Sequence, residues 1–329
     1  MAKSLYKILL IQIWFGKWPN WINLLIETCR HNHEIDWLIF SDQNPPINQS
    51  QNIKYIKITS SQIESLIAQK SGVEICLENF WKAGDSKVLF GVIFQEYIKG
   101  YDFWGYCDSD LMWGDIRNFL PEDSLKEFDI ITACRCCICG QFTIFKNKEP
   151  INFLFQKAPY YKEKFKSNQV EHIDENLINE AALQEEKKGN IKVLRRQLQI
   201  HDCDSSEWFN WAKQLEESER GTSEGMFWLS GPSYWKNGKV FHEKFHEEAM
   251  FFHFSGWKHK WNLPYYSIPD SSIAGWMIDE KGIHMIFKSF QKLRSAVYFL
   301  KHNVPFLIGM VFKKVHKRFS RRYSDRGRH

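Results

Sequence analysis

The most constraining feature of the sequence is a set of continuous apolar segments separated by segments of helical character. The apolar segments cover residues 7–13, 36–41, 53–58 and 103–107. A strand buried on both faces has such a continuous apolar run, which is typical of a parallel sheet covered by helices. Helices are predicted over residues 19–31, 61–72 and 81–99, the second opened by a capping box at residues 61–64. The chain is therefore predicted to be α/β with a mostly parallel central sheet.

The second half of the chain is less regular. Residues 160–188 are strongly charged and are predicted to be helical, and residues 226–229 and 249–254 are predicted to be strands. With 329 residues the chain is long enough for one large domain or two small ones.

Candidate ligand-binding residues follow several of the predicted strands. Gly16 follows the first strand, Asp42 the second, and Asp108 and Asp110 the strand at 103–107. Ligands of α/β proteins bind beyond the carboxyl ends of the strands, so we expect these residues to face one crevice.

The Asp108-Ser109-Asp110 segment has the chemistry of a cation site. Mg²⁺ and Mn²⁺ prefer oxygen ligands, and one or two carboxylates commonly hold such an ion together with the phosphates of a nucleotide. Two aspartates one residue apart can converge on an ion where a strand ends. The alternative is an ordinary solvated turn.

A second candidate segment follows the apolar run at residues 249–252. His253 could complete the coordination of Mn²⁺, Gly256 would let the backbone approach phosphate groups, and Lys258 or Lys260 could contact them as a positive charge. The alternative is a basic strand end with a structural histidine.

A third candidate is the acidic pair Asp174 and Glu175. Glycosyl transfer passes through an oxocarbenium-like state that a nearby carboxylate stabilises, so the pair could hold or flank a donor sugar. An exposed helical face is the alternative interpretation of this segment.

In chain order, the segments that begin at Asp108, Asp174 and His253 resemble the D-x-D, D-Q-D-x-x-N and H-x-G-x-x-K-P-W motifs of retaining glycosyltransferases related to glycogenin and bacterial lipooligosaccharide galactosyltransferases, glycosyltransferase family 8. Glu175 and Asn176 replace the glutamine and second aspartate of the middle motif, and no proline precedes Trp261. The chain resembles more closely an uncharacterised bacterial family allied to GT-A glycosyltransferases. Its F-G-K-x-P-N and Y-D-F-W-G-Y-C-D-x-D-L motifs are residues 15–20 and 101–111 here.

This resemblance implies a GT-A, Rossmann-like fold and a role for each motif residue. It implies that Asp108, Asp110 and His253 bind Mn²⁺ or Mg²⁺ and that Phe15 and Gly16 lie near the nucleotide base. The implied donor is a nucleotide-sugar of the UDP-sugar type. Lys87 and Asp108 would lie near its sugar and the cation, and Gly256 and Lys258 would contact its diphosphate. Asp174 and Glu175 would be the catalytic pair. The implied acceptor is a glycan or lipid-linked saccharide, a cell-surface glycan precursor.

Two other functions stay open from the sequence. A sugar nucleotidyltransferase would normally have a glycine-rich, basic loop after the first strand, whereas residues 12–18 contain only Gly16. A carbohydrate-binding protein with a degenerate site would lack turnover of any nucleotide-sugar.

Cysteines are concentrated in the segment Cys134-Arg135-Cys136-Cys137-Ile138-Cys139, which holds four of the eight. Structural zinc sites usually pair two separated C-x₂₋₄-C knuckles, and the sequence contains no second knuckle. Neighbouring residues of a strand point to opposite faces. We therefore expect buried, reduced thiols in a strand that follows residues 129–133.

The carboxyl-terminal segment differs in charge from the rest of the chain. Residues 281–329 contain thirteen lysines and arginines and one acid, Asp325, whereas the whole chain has a net charge of +5. Residues 285–301 have an amphipathic helical pattern, and the apolar run at 304–312 is shorter than the roughly 20 residues of a spanning helix. We expect residues 1–280 to form the catalytic domain and 281–329 to bind an anionic membrane surface rather than nucleic acid. Without an evident signal peptide, the expected location is cytoplasmic, at the inner face of the plasma membrane.

Overall fold

The computed structural model describes residues 6–46, 50–77, 80–196, 198–202, 227–229, 232–242, 248–259, 261, 273–279 and 281–287. The chain divides into two compact units, one of residues 1–268 and 277–283 and one of residues 269–276 and 284–329. All candidate site residues belong to the first unit. Lys260 lies outside the described residues.

The first unit contains a seven-stranded sheet in the order β3-β2-β1-β4-β7-β6-β8. Strands β1 to β4 pair in parallel, β6 pairs in parallel with β8, and β7 runs antiparallel between β4 and β6. The predicted α/β class with a mostly parallel central sheet is therefore confirmed. The strands are β1 (Ile8–Trp14), β2 (Ile35–Ser41), β3 (Ile53–Lys57), β4 (Phe103–Cys107), β5 (Leu111–Trp113), β6 (Ile130–Thr132), β7 (Phe142–Lys146) and β8 (Val193–Arg195).

Both faces of this sheet are covered, as the continuous apolar runs require. Successive residues of β1 alternate between two cores: Leu9 and Ile11 pack into one, and Ile8 and Leu10 into the other. All four are at most 4% exposed. Burial on both faces fixes the register of β1, because a shift by one residue would exchange the two sets.

Three helical segments cover the first half of the sheet, but their boundaries differ from the prediction. Helix α1 covers Ile22–His31 and α2 covers Ser60–Ser71. The capping box of α2 is formed by Thr59 and Gln62, so its predicted position at residues 61–64 was wrong. The segment predicted as one helix over 81–99 is a 3₁₀ helix, Phe80–Leu89, followed by α3 (Phe90–Ile93) and α4 (Gln95–Ile98).

Shorter helices connect the later strands. They are α5 (Ile116–Phe119), α6 (Glu122–Glu127), α7 (Glu149–Asn152), a 3₁₀ helix (Leu154–Lys157), α8 (Tyr161–Lys166), a π-helix (Asp174–Ile178), α9 (Asn179–Lys187) and a 3₁₀ turn (Trp257–His259). The helix predicted over residues 160–188 is therefore three helical pieces. Residues 167–173 are not helical, and they place the acidic pair at the start of the π-helix.

The remaining strands form smaller sheets. They are β9 (Gln199–Asp202), β10 (Phe227–Leu229), β11 (Ser233–Lys236), β12 (Lys239–His242), β13 (Glu248–Ala249), β14 (Phe251–His253), β15 (Ile273–Asp279) and β16 (Gly282–Phe287). One sheet has the order β10-β9-β14-β5 and links the end of β4 to the segment around His253. The strand predicted at residues 226–229 is confirmed as β10, and the one at 249–254 is divided between β13 and β14.

The basic segment 281–329 is described only in its residues 281–287, which include β16. The helix expected at 285–301 and the apolar run at 304–312 otherwise lie outside the described residues. Within the described part of the chain, no helix has the length and apolarity needed to cross a membrane. The domain boundary at 280/281 stays a prediction.

Candidate active site

A cavity of about 890 Å³ opens at the carboxyl ends of β1 and β4. Nine of the ten residues predicted for the site line it. They are Phe15, Lys87, Asp108, Asp110, Asp174, Glu175, His253, Gly256 and Lys258. Gly16 does not line it: its backbone has φ +80°, and its N–H donates to Asp42 Oδ1 at 2.9 Å. The structure therefore assigns Gly16 to the turn after β1, a conformation that favours glycine.

The loop from Asp108 to Asp110 is held in place by contacts to its backbone. Gln12 Nε2 donates to the carbonyl of Asp108 at 2.9 Å, and Trp21 Nε1 donates to that of Ser109 at 3.1 Å. The N–H of Asp108 donates to Gln141 O at 3.3 Å. These contacts fix the backbone of the loop, and both aspartates line the cavity.

His253 reaches this loop through strand pairing. Strand β14 pairs antiparallel with β5, which places His253 opposite Leu111, and the N–H of Phe254 donates to Asp110 O at 3.2 Å. One ligand atom from each of Asp108, Asp110 and His253 lies within 4.8 Å of the others. Two carboxylates and an imidazole at this spacing fit a divalent cation such as Mn²⁺.

Two lysines contact the aspartates from opposite sides. Lys258 Nζ lies 2.5 Å from Asp110 Oδ2, and His253 Nε2 lies 3.4 Å from the same oxygen. Lys87 Nζ donates to Asp108 Oδ1 and, at 3.0 Å, to the carbonyl of Gly140. The site therefore combines carboxylates for a cation with ammonium groups for an anion.

The charges of this cluster shift the pKa values of its members. Burial acts to raise the pKa of Asp110, but His253 and Lys258 outweigh it and hold the pKa well below its usual range. Burial acts to lower the pKa of Lys87, yet Asp108 and Asp174 raise it above the ordinary lysine value. Asp110 is thus an anion and Lys87 a cation at any physiological pH.

The pKa values of Asp174 and Glu175 are raised, whereas that of Asp110 is lowered. Asp174 is 6% exposed at the start of the π-helix, and its Oδ1 accepts from the N–H of Glu175 at 3.0 Å. Burial raises the pKa of Asp174 to about 7, opposed by Lys87 and assisted by Glu175 and Asp108. Burial also raises the pKa of Glu175 to about 7. A π-turn is frequent at functional sites, and the exposed-face interpretation of this pair was wrong because both carboxyl groups line the cavity.

We expect Asp174→Asn to reduce the pH dependence of stability in the metal-free protein. With a raised carboxyl pKa, the folded state binds more protons than the unfolded state between about pH 4 and 7. The free energy of unfolding therefore falls as the pH rises through this window. Asparagine has no carboxyl group to titrate, so the decrease in the free energy of unfolding over this pH window should be smaller in the variant by on the order of 1 kcal/mol.

Urea unfolding of chelator-treated protein at pH 5 and pH 8 measures this effect. Glu180→Gln is the control, since Glu180 is an exposed carboxylate of α9 that accepts a hydrogen bond from Gln184. An equal pH dependence in wild type and Asp174→Asn would show that the Asp174 carboxyl is not protonated preferentially in the folded state.

A buried ion pair that the sequence analysis missed supports the acidic pair. Lys82 and Asp85 lie 2.8 Å apart in the 3₁₀ helix, with side chains 0% and 2% exposed. Lys82 Nζ donates to the carbonyls of Lys164 and Gln169, and Asp85 accepts from the N–H groups of Glu171 and Ile173. The pair therefore fixes the segment that leads to Asp174. The sequence does not reveal this pair, because the residues that contact it, between 164 and 173, are distant along the chain.

Aromatic side chains form much of the cavity wall. Trp14 and Trp18 stack with their ring centroids 6.2 Å apart. Lys258 Nζ lies 5.4 Å from the ring centroid of Trp81 and 6.0 Å from that of Trp21. The sequence does not identify these four tryptophans as cavity residues, and only the spatial arrangement shows that they line it.

The cysteine segment forms a loop between β6 and β7, so its prediction as a strand was wrong. Cys134, Cys137 and Cys139 are buried, as expected, and Cys136 is half-buried. Thr132 and Thr143 hold the loop through the N–H and carbonyl of Cys139, at 3.0 and 2.8 Å. Outside a strand, the side chains of Cys136 and Cys137 need not point apart, and their sulfurs lie 3.5 Å from each other.

Fold and site together define an α/β protein with a carboxylate, imidazole and lysine cluster in a cavity at the carboxyl ends of its strands. The chain belongs to the family of unknown function DUF6625, whose model matches residues 10–292. A comparison with curated proteins gave no significant match.

Three solved glycosyltransferase structures are similar to the chain. The galactosyltransferase LgtC, in complex with donor and acceptor sugar analogues, has 11% identity over 75% of this chain and 87% of its own, with a TM-score of 0.41. The PaToxG glycosyltransferase has 19% identity over 66% of this chain and 78% of its own, with a TM-score of 0.35. Mouse xyloside xylosyltransferase 1 has 9% identity over 75% of this chain and 97% of its own, with a TM-score of 0.37. At these values function has to be inferred from the residues of the site.

Proposed function

We propose that this protein is a metal-dependent glycosyltransferase of the GT-A type that uses a nucleotide-sugar donor. The observation that carries the proposal is the convergence of Asp108, Asp110 and His253 within 4.8 Å, beside two lysines, in one cavity. A nucleoside diphosphate needs both a divalent cation and positive side chains, and the cavity offers them side by side.

Asp108, Asp110 and His253 are the proposed metal ligands. A bound Mn²⁺ or Mg²⁺ supplies positive charge that stabilises the leaving diphosphate. Lys258 is placed to contact the same phosphates, because its Nζ lies 2.5 Å from Asp110 Oδ2. Gly256 lines the same cavity and would let the backbone approach them. Phe15 provides an apolar surface for the base, together with the tryptophans of the wall.

Asp174 and Glu175 are the proposed catalytic pair. Lys87 lies between them and the metal ligands, because it donates to both Asp108 and Gly140. Gly140 permits this close approach: a Cβ there would lie 2.9 Å from Asp174 Oδ2 and 3.4 Å from Lys87 Nζ. An ionised carboxylate at this point stabilises the positive charge of an oxocarbenium-like state, whereas a protonated one can donate to a sugar hydroxyl.

The proposed donor is a UDP-sugar. The proposed acceptor is a cell-surface glycan precursor, either a glycan or a lipid-linked saccharide. A nucleotidyltransferase is disfavoured because it would normally bind a triphosphate with a glycine-rich, basic loop after the first strand. Residues 12–18 contain one glycine, Gly16, and one basic residue, Lys17. A purely carbohydrate-binding role does not require the buried metal-ligand set around Asp110.

A thermal-shift panel of nucleotide-sugars, each with and without Mn²⁺, tests the proposal. A ligand that binds only the folded state raises the melting temperature, and the shift should require metal and nucleotide-sugar together. Donors that give a shift are then assayed for release of the nucleoside diphosphate. No shift and no release with any nucleotide-sugar would leave the carbohydrate-binding role as the better account.

We expect His253→Ala to weaken Mn²⁺-dependent binding of UDP by about ten- to a hundredfold, since one metal ligand is lost while both carboxylates stay. Isothermal titration calorimetry with and without Mn²⁺ measures the change. His33→Ala is the control, because His33 is exposed and is not one of the residues that line the cavity. Unchanged UDP affinity in His253→Ala would make His253 a structural residue.

We also propose that residues 281–329 attach the protein to the inner face of an anionic membrane. The segment combines an amphipathic pattern with thirteen basic residues, and each such residue near a charged leaflet contributes roughly 1 kcal/mol. Deletion of residues 288–329, which keeps β16, should abolish cosedimentation with phosphatidylserine vesicles while activity on a water-soluble acceptor is retained. Failure of the full-length protein to cosediment at low salt would contradict this proposal, whereas preference for duplex DNA over vesicles would favour nucleic acid.

A further inference from the structure

The loop between β6 and β7 contains a second cluster of metal-ligating atoms. The sulfurs of Cys134 and Cys136 lie 3.0 Å apart, and those of Cys136 and Cys137 lie 3.5 Å apart. One sulfur from each of the three residues lies within 4.8 Å of the others. This cluster shares no residue with the Asp108, Asp110 and His253 set.

The ligand chemistry of the two clusters is different. Carboxylate oxygens suit Mn²⁺ and Mg²⁺, whereas thiolates select softer ions, above all Zn²⁺. Three sulfurs supply three of the four positions of a tetrahedral zinc site. Cys134 and Cys137 line the cavity, so the fourth position is accessible to water or another ligand from that side.

We propose that Cys134, Cys136 and Cys137 bind one Zn²⁺ ion and that this ion holds the β6–β7 loop against the active site. Two-residue and one-residue spacings let a loop fold its sulfurs around a single ion, so a second knuckle is not required. Cys139 is excluded from the set because its Sγ lies 3.4 Å from Phe142 O and from Thr132 Oγ1.

The proposed ion would be coupled to the site through the loop. The carbonyl of Gly140 accepts a hydrogen bond from Lys87, and the N–H of Ile138 donates to Asn179 Oδ1 at 3.3 Å. Fixing residues 134–137 therefore restricts the nearby backbone at Gly140, which lies close to both Lys87 and Asp174. Zinc binding to the folded state should also raise its melting temperature.

Cobalt titration of the reduced, chelator-treated full-length protein under anaerobic conditions tests the proposal. Thiolate ligands give an intense sulfur-to-cobalt charge-transfer band, which carboxylate and imidazole ligands do not give. We expect this band to saturate at one Co²⁺ per chain and to disappear when one Zn²⁺ is added. Asp110→Asn should leave the band unchanged, which separates this result from the fate of the proposed glycosyltransferase site.

Cys134→Ser and Cys137→Ser should lose the band, whereas Cys76→Ser should keep it, because Cys76 is exposed and outside the cluster. Alkylation of wild type with iodoacetamide, read by mass spectrometry, needs no variant: relative to the metal-free protein, Zn²⁺ should slow alkylation of Cys134, Cys136 and Cys137 and leave that of Cys76 unchanged. Absence of the band in reduced wild type, or alkylation that Zn²⁺ leaves unchanged at all four cysteines, would overturn the proposal.

Discussion

Asp110→Asn is expected to lower glycosyl transfer by about a thousandfold, or about 4 kcal/mol in the activation free energy, while the fold is kept. Asp110 contributes a carboxylate to the proposed metal site and is 3% exposed. Asparagine keeps the size and one oxygen, but it removes the negative charge that the cation, Lys258 and His253 all face. Binding of Mn²⁺ and transfer should therefore be lost together.

Transfer rates at saturating donor and increasing Mn²⁺ measure this effect, with circular dichroism as the check on folding. Asp123→Asn is a suitable control, because Asp123 is an exposed aspartate of α6. Near-normal turnover of Asp110→Asn at saturating Mn²⁺ would remove Asp110 from the metal site.

The largest expected loss of stability is that of Lys82→Ala. Removing one partner of a buried ion pair leaves the other charge buried and costs about 3–5 kcal/mol. Here the change would also leave the carbonyls of Lys164 and Gln169 without their donor. Because Asp85 holds the N–H groups of Glu171 and Ile173, we expect the segment before Asp174 to loosen as well.

Urea unfolding of Lys82→Ala measures the loss, and Lys166→Ala provides the control. Lys166 pairs with Glu74 at the same 2.8 Å distance, but both side chains are 73% exposed, and exposed pairs contribute little. The control should therefore unfold like wild type. Equal effects of the two substitutions would show that the Lys82–Asp85 pair is accessible to solvent.

The strands and the position of the site could be predicted because they depend on local patterns. Burial on both faces gives β1, β2 and β4 their continuous apolar runs, and the carboxyl ends of parallel strands meet at one edge of a sheet. This places Asp108 and Asp110 from sequence alone. His253 required more, because its proximity to Asp110 depends on the long-range pairing of β14 with β5.

Features that depend on tertiary contacts could not be predicted. The helix pattern over 160–188 did not show that residues 167–173 are held in a non-helical path by Lys82 and Asp85. The cysteine segment looked like the continuation of β6, but it folds into a loop in which the N–H of Cys139 donates to Thr132 and the carbonyl of Cys139 accepts from Thr143. The resemblance implied that Gly16 lies near the nucleotide base, but a glycine after a strand also fits a simple turn, and the sequence does not distinguish the two.

The most direct test of the account is a titration of Mn²⁺ followed by electron paramagnetic resonance, with and without UDP, for wild type and for the Asp108→Asn/Asp110→Asn/His253→Ala variant. A free Mn²⁺ signal disappears as the ion binds to the protein. The account predicts one bound Mn²⁺ per wild-type chain, with UDP and the ion each strengthening the binding of the other, and no such ion in the variant. Equal binding of Mn²⁺ and UDP by the variant, or no effect of UDP on wild type, would contradict the assignment of this cavity as a metal and nucleotide site.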